Sequence, residues 1–294
     1  MLTESPLDEA IAGIDYPSAE SAHASMQRRR SPAGTLGVLE ELSAWTAGVQ
    51  ASDPPEEFRR VRLVGFGAPP GPAVRALAEA AEVGIVSPCP DAAAPFDRAS
   101  CEAVLTAGIE AADQEVEAGA DLLIATVLGE RTTVPAATLI SVLTDTEPIK
   151  VIGRPPGSDD ADWIDRCTEI RDVRRRAWPH RIDLLELLAV IGSVELAGLT
   201  GLLLQAARRR TPVLLDGVPA AAAATAAQLA CPRVVRWLQA AQLSPDPAHG
   251  HALQRLGLSP ILRLELWPGD GLGGLLALPV LHAAISSLTA FDPL

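Results

Sequence analysis

Aromatic residues make up only 3% of the 294-residue chain, and lysine occurs once, at Lys150. So few rings leave no stacking platform for single-stranded nucleic acid. A Schiff-base or P-loop mechanism would rest on that one lysine, which sits in the strand-like run Ile149-Lys150-Val151-Ile152 without a GKS/T loop. Four cysteines are too few for a disulfide scaffold. Cys89, Cys101, Cys167 and Cys231 show neither CxxC pairing nor a histidine at ligand spacing, so they read as packing thiols in a reducing compartment, and no metal is expected. Positive charge is in deficit: a formal net charge of −13 argues against nucleic acid or an anionic membrane as partner. An uninterrupted apolar span is missing too. Leu184–Ala207 contains Glu186 and Glu195, and Gly271–Leu288 contains Pro279 and His282, so both read as buried helices. Met1–Gly13 has no basic segment ahead of an apolar stretch, so no signal peptide is expected and the cytoplasm is the expected location. There is no Gly-x-Ser-x-Gly elbow and no HExxH; His249 and His251 alternate in a Pro/Ala-rich stretch that reads as a solvated loop.

What is present is a chain long and apolar enough, at 48% hydrophobic and 21% charged residues, to bury a large core. A polar first 30 residues hold a short helix around Leu7–Gly13, Ser31–Gly37 is a turn, and Val38–Gln50 reads as a helix with Leu39, Leu42, Trp45 and Val49 roughly on one face. After the linker Ser52–Pro55, short apolar runs alternate with helical patterns. The expected strands are Val61–Phe66, Val83–Ser87, Leu122–Val127, Lys150–Gly153, Pro212–Asp216 and Ile261–Trp267. Between them lie helices at Pro72–Ala81, Ala99–Ala118, Pro135–Leu143, Asp159–Ala177, Ile182–Arg209 (broken at Gly192) and Ala220–Leu229. This order predicts an α/β fold: a three-layer αβα stack with a mostly parallel sheet. Ligands then bind beyond the carboxyl ends of the strands. The expected organisation is a helical segment at 1–57, a nucleotide-binding core at 58–274, and a C-terminal helix at 275–294 that joins 1–57 in a small helical satellite.

Four strand-to-helix loops are rich in glycine or small polar residues. Gly65–Gly71 loosely resembles a dinucleotide fingerprint, but its two prolines and its spacing favour an ordinary tight turn. Leu128–Thr133 precedes a helix and offers two hydroxyls, Thr132 and Thr133, beside free N–H groups; the same geometry serves a phosphate seat or a plain cap. In Gly153–Asp160, Arg154 is placed to hold an anion and Asp159 or Asp160 to cap the next helix. In Pro268–Gly274, Asp270 stands among glycines, and by residue statistics such an Asp is more often a cap than a base. Asp216-Gly217 is a further strand-end carboxylate, equally open between the two roles.

Taken in order, these pieces resemble the nicotinate-nucleotide:dimethylbenzimidazole phosphoribosyltransferases of cobamide lower-ligand activation. Ser31-Pro32-Ala33-Gly34-Thr35-Leu36-Gly37-Val38-Leu39-Glu40 is similar to that family's KPPGSLGRLE. Thr132-Thr133 ends the counterpart of GEMGIGNTT, and Gly153–Asp160 stands for GRGTGLDD. Gly192–Ala197 stands for GGFEIA, Val213–Gly217 for VLLDG, and Gly269–Gly273 for GEGTG. The resemblance implies transfer of the phosphoribosyl group of nicotinate mononucleotide to a benzimidazole-like azole base, with release of nicotinate and without metal or other cofactor. It implies a homodimer, whereas an impaired paralogue would pair with an intact family member as a heterodimer. The family's carboxylate in GEGTG accepts the proton of the attacking nitrogen, which maps onto Asp270. Substrate binding maps onto Thr132, Thr133, Gly153, Arg154, Gly157, Asp159, Gly217, Gly269 and Gly271, with Arg166 where the family often has a lysine. The chain departs from the pattern at Asp270 (an Asp for Glu), at Thr126 (for the first-loop glutamate), and by lacking the DHGV segment after the first strand. Two other functions stand beside this one: an impaired paralogue serving as partner subunit or nucleotide-binding regulator, and a dinucleotide-binding oxidoreductase using Gly65–Gly71.

Overall fold

The computed structural model describes residues 5–27, 36–90, 96–129, 133–267 and 269–289. Most of the expected turn Ser31–Gly37 and all of Thr132 therefore lie outside the described residues. Three helices come first, α1 (Pro6–Ala12), α2 (Ala19–Gln27) and α3 (Val38–Gln50). The α/β succession follows: β1 (Val61–Gly67), α4 (Pro72–Ala80), β2 (Gly84–Val86), α5 (Arg98–Glu117), β3 (Leu122–Leu128), α6 (Thr133–Leu143), α7 (Pro148–Val151), α8 (Asp160–Ala177), α9 (Leu184–Ile191) and α10 (Val194–Arg208). The last part comprises β4 (Val213–Leu215), α11 (Gly217–Ala230), β5 (Leu238–Gln242), α12 (Pro247–Leu256), β6 (Pro260–Leu262) and α13 (Leu272–Thr289). The six strands form one all-parallel sheet in the order β2-β1-β3-β4-β5-β6. No helix among the described residues is long and apolar enough to cross a membrane.

The sheet is covered on both faces because its central strands are apolar on both. Leu63 and Ile124, partners in register, lie under Gly271 and Gly274 at the start of α13. Phe66, on the opposite face, meets Gly198 of α10. Packing on that face is tight: a methyl on Gly108 of α5 would overlap the Gly198 carbonyl, and one on Gly201 would overlap that of Leu105. α11 is buried along nearly its whole length, its alanines letting α6, α10 and α12 close around it. The break at Gly192, which has φ 77°, is where the sequence puts it, and Ser193 caps α10 by accepting the Leu196 N–H at 3.3 Å.

Three expectations are corrected. Lys150–Gly153 is not a strand. Pro148 opens the helical turn α7, and Lys150 pairs with Glu147 at 3.0 Å; the β-branched run around the lysine is a misleading signal. The expected strand Ile261–Trp267 shrinks to β6, because the chain after Leu262 leaves the sheet and folds over the end of β5. The stretch holding His249 and His251 is helix α12, not a solvated loop, and His249 is fully buried. Its boundary signals, Asp246-Pro247 at the start and Gly257 in the left-handed region at the end, are those of an ordinary helix. β5 and α2 are additions to the expected elements. β5 reads Leu238-Gln239-Ala240-Ala241-Gln242, with no β-branched residue, and owes its extended form to pairing with β4 and β6.

The close approach of α5 and α10 gives a direct test. Gly201→Val should cost about 2–3 kcal/mol by overpacking and lower the melting temperature by several degrees. The same change at Gly250, whose Cβ position is open, should leave it nearly unmoved in a thermal melt.

Candidate active site

At the carboxyl ends of β3, β4 and β5, three side chains reach the same segment of chain. Asp216 follows β4 directly and is fully buried. Its Oδ2 accepts the N–H groups of Gly271 at 2.8 Å and Gly273 at 3.0 Å. Thr126, near the end of β3, donates its hydroxyl to the Gly269 carbonyl. Gln242, the last residue of β5, donates from Nε2 to the Leu266 carbonyl at 3.2 Å. Backbone packing tightens the same seat. Gly217 (φ 85°) and Gly269 touch so closely that a Cβ on either would overlap the other, and Gly271 (φ 103°) lies on Leu63. The residue presented by this segment is Asp270. It is half-buried, and its Oδ1 is buried without a hydrogen-bond partner among the described residues. Asp270 is therefore not the cap that residue statistics favour; Asp216, from another part of the chain, bonds the first amides of α13 instead.

The electrostatics follow from burial. Asp216 is pushed up from 3.8 to about 7, chiefly by desolvation; the amides of Gly271, Gly273 and Gly274 work against this and the nearby Asp270 adds to it. On α12, His249 accepts the Ser244 N–H at Nδ1, 3.1 Å away, and burial pushes it down to about 4. Asp246, which accepts the Ala248 N–H at 3.1 Å, is pushed up to about 6 by burial while Arg166 opposes the shift. Four of the buried polar atoms without partners among the described residues belong to these segments: Asp216 Oδ1, Gln242 Oε1, His249 Nε2 and Asp270 Oδ1. Asp216, Gln242 and His249 have no accessible surface, so of these four residues only the half-buried Asp270 is placed to meet a polar ligand past the strand ends.

The residues expected from sequence divide into two sets. Gly217, Gly269, Gly271 and Asp270 come together as described. Gly153 packs against the Trp267 ring and Pro247 of α12, and Arg166 lies near Asp246. Thr133 begins α6 after β3. Arg154 instead pairs with Asp160 and stacks on Trp163, 4.7 Å from the ring centroid, in an exposed position. Asp159 is the N-cap of α8 in a reciprocal capping box with Asp162, so its side chain serves the helix. Gly157 (φ 87°) lies in open surroundings. The expected turn at Gly65–Gly71 is shortened: Gly65–Gly67 are the end of β1, in register with Thr126–Leu128, and the connection to α4 is residues 68–71. Gly65 packs on the Leu128 side chain and Gly67 on its carbonyl. A dinucleotide site there is overturned, because the neighbouring strand takes up the space those glycines leave. Sequence reasoning did not count Gln242, Ser244 and His249 among the site residues, although Ala241–His249 stands where the resembled family has HRSAEPGH.

The chain is similar to known proteins over most of its length. Residues 90–292 match the family model described as a phosphoribosyltransferase. The nicotinate-nucleotide–dimethylbenzimidazole phosphoribosyltransferase of Mycobacterium tuberculosis is 37% identical, with 95% of this chain and 92% of the relative covered. The enzyme of the same name from Mycobacterium avium is also 37% identical, over 95% of this chain and 94% of its own. Among solved structures, CobT from Thermus thermophilus superposes with a TM-score of 0.81 at 28% identity, covering 96% of each chain.

The two buried groups make opposite predictions for pH. Between about pH 4 and pH 7 the fold keeps the Asp216 proton while the unfolded chain releases it, so this group's contribution to stability is full at the acid end and falls as pH rises to about 7. His249 acts the other way: its contribution is full above about pH 6.5 and lost as pH falls to about 4, where the unfolded chain takes up a proton first. Urea denaturation from pH 4 to 8 should show Asp216→Asn removing a downward slope of at most about 1.4 kcal/mol per pH unit, and His249→Gln removing an upward one.

Proposed function

The chain belongs to the nicotinate-nucleotide–dimethylbenzimidazole phosphoribosyltransferase family, and from that premise we propose that it moves the phosphoribosyl group of nicotinate mononucleotide to a benzimidazole-like base. The observation that carries this reading is the Asp270 carboxylate: presented at the strand ends on a clamped segment, with one oxygen buried and unpartnered among the described residues. The chemistry needs such a group. An azole nitrogen forms a bond to the anomeric carbon of the ribose, the bond from that carbon to the nicotinate nitrogen breaks, and nicotinate leaves with the electron pair. The azole, cationic after attack, must lose its N–H proton, and Asp270 is the acceptor. Partial burial keeps water away from that transfer.

The phosphate seat in this reading is the start of α6 at Thr133 and the loop 153–159, through backbone N–H groups at helix N-termini. Gly217, Gly269 and Gly271 let the backbone approach the ribotide closely. Arg166, half-buried beside Asp246, supplies positive charge near Gly153. The partners are these small molecules, with a homodimer, or a heterodimer with a family member, as the assembly. The cytoplasm is the compartment, in keeping with four unpaired cysteines.

The test is nicotinate release from nicotinate mononucleotide and 5,6-dimethylbenzimidazole, extended over a panel of azole and phenol acceptors. Asp270→Ala should abolish release. Asp270→Glu should raise it, since a carboxylate displaced by about 1 Å from its productive position costs about 10²-fold in rate. No release with any acceptor overturns the reading.

A further inference from the structure

The segment that presents Asp270 is held by an acid that plays no part in the proton transfer described above. Asp216 bonds through one oxygen, Oδ2, to both Gly271 and Gly273, and so fixes the chain just after Asp270. Thr126 holds the Gly269 carbonyl just before it, and Gly269 rests on Gly217. The backbone is thus anchored on both sides of Asp270. We propose that Asp216 is the positioning residue for Asp270: it binds the two amides that set the direction of the 270 carboxylate, and it touches no substrate itself. This inference rests on the reading of Asp270 as proton acceptor; the clamp does not.

The surroundings of Asp216 suit this role. From α13 it meets the amides of Gly271, Gly273 and Gly274, from β3 the hydroxyl of Thr126 lies 3.3 Å from its carbonyl, and from β5 Gln242 lies against the same Gly273. Gly273 has to be glycine, since a Cβ there would overlap both Asp216 Oδ1 and Gln242 Cγ. Asp270 acts on Asp216 as a neighbouring negative charge. An anionic acceptor forms stronger bonds to amides than a neutral one, and an Asn at this position keeps the acceptor oxygen but cannot ionise. Asp216→Asn therefore separates charge from shape, while Asp216→Ala removes both.

The experiment compares wild type, Asp216→Asn and Asp216→Ala by nicotinate release from pH 5 to 9, by thermal melting, and by hydrogen exchange of the Gly271 and Gly273 amides. In Asp216→Asn the KM for nicotinate mononucleotide should stay within about twofold and the melting temperature within about 3 °C of wild type at pH 7, with kcat down by at least about tenfold. Wild-type kcat should rise through about pH 7 as Asp216 ionises, and this rise should be absent in Asp216→Asn. The two amides should be protected in wild type and exchange at least about 100-fold faster in Asp216→Ala. Unchanged kcat and pH profile in Asp216→Asn overturn the proposal. Should wild type release no nicotinate with any acceptor, the functional reading falls and the exchange rates alone decide the clamp: unprotected amides in wild type overturn it, and protection lost in Asp216→Ala upholds it.

Discussion

A carboxylate without accessible surface sits at the end of the fourth strand and accepts two backbone N–H groups from the start of the last helix. The first amides of any helix have no partner within it. Usually a residue next to them in sequence supplies one; here the partner lies more than fifty positions away, in the middle of the sheet. The entrance of α13 is thereby set by β4 and not by the helix itself. Because α13 also packs on α3, the same bonds couple the C-terminal helix and the N-terminal helices to the strand ends. Burying an acid so completely is costly, and its protonation is displaced as a result. The orphan Oδ1 of Asp216 and those of its neighbours mark where the fold gives up stability for chemistry.

Small residues make this geometry possible. Glycines at 217, 269 and 273 let two loops and a helix start occupy the space just past β4, and glycines at 108, 198 and 201 let α5 and α10 touch backbone to backbone. The alanines of α11 do the same on a longer scale. With the helices this close, the sheet is shielded from water and its carboxyl edge stays open to polar groups from β3, β4 and β5 together. Arginines of α8, of the loop 153–159 and of the turn after α10 are engaged in exposed pairs such as Arg174–Asp145, Arg154–Asp160 and Arg210–Asp15. Exposed pairs of this kind contribute little to stability.

Much of the architecture was readable one residue at a time. Val61–Phe66 and Leu122–Val127 are strands in any context that buries both faces, and the caps at Asp97, Asp159, Asp183 and Ser193 start helices where they stand. Local chemistry failed where tertiary pairing outweighed it. Leu238–Gln242 lacks strand formers and is a strand because β4 and β6 flank it; Ile149–Ile152 has them and is not, because Pro148 starts a turn of helix there and no strand edge is offered. His249 reads as a loop residue among Pro and Ala, and its burial follows from α12 docking on α6 and α11.

The candidate site divides along the same line. That Asp216 and Asp270 are carboxylates near chain reversals beside glycines is a property of the sequence, and so are the motif order and the parallel α/β plan, because each follows from neighbours a few residues apart. Which of the two acids holds the loop and which is left with a free oxygen is a matter of three-dimensional placement. A hydrogen bond between residues 216 and 271 depends on the sheet bringing distant segments within about 3 Å, and no local pattern encodes that distance.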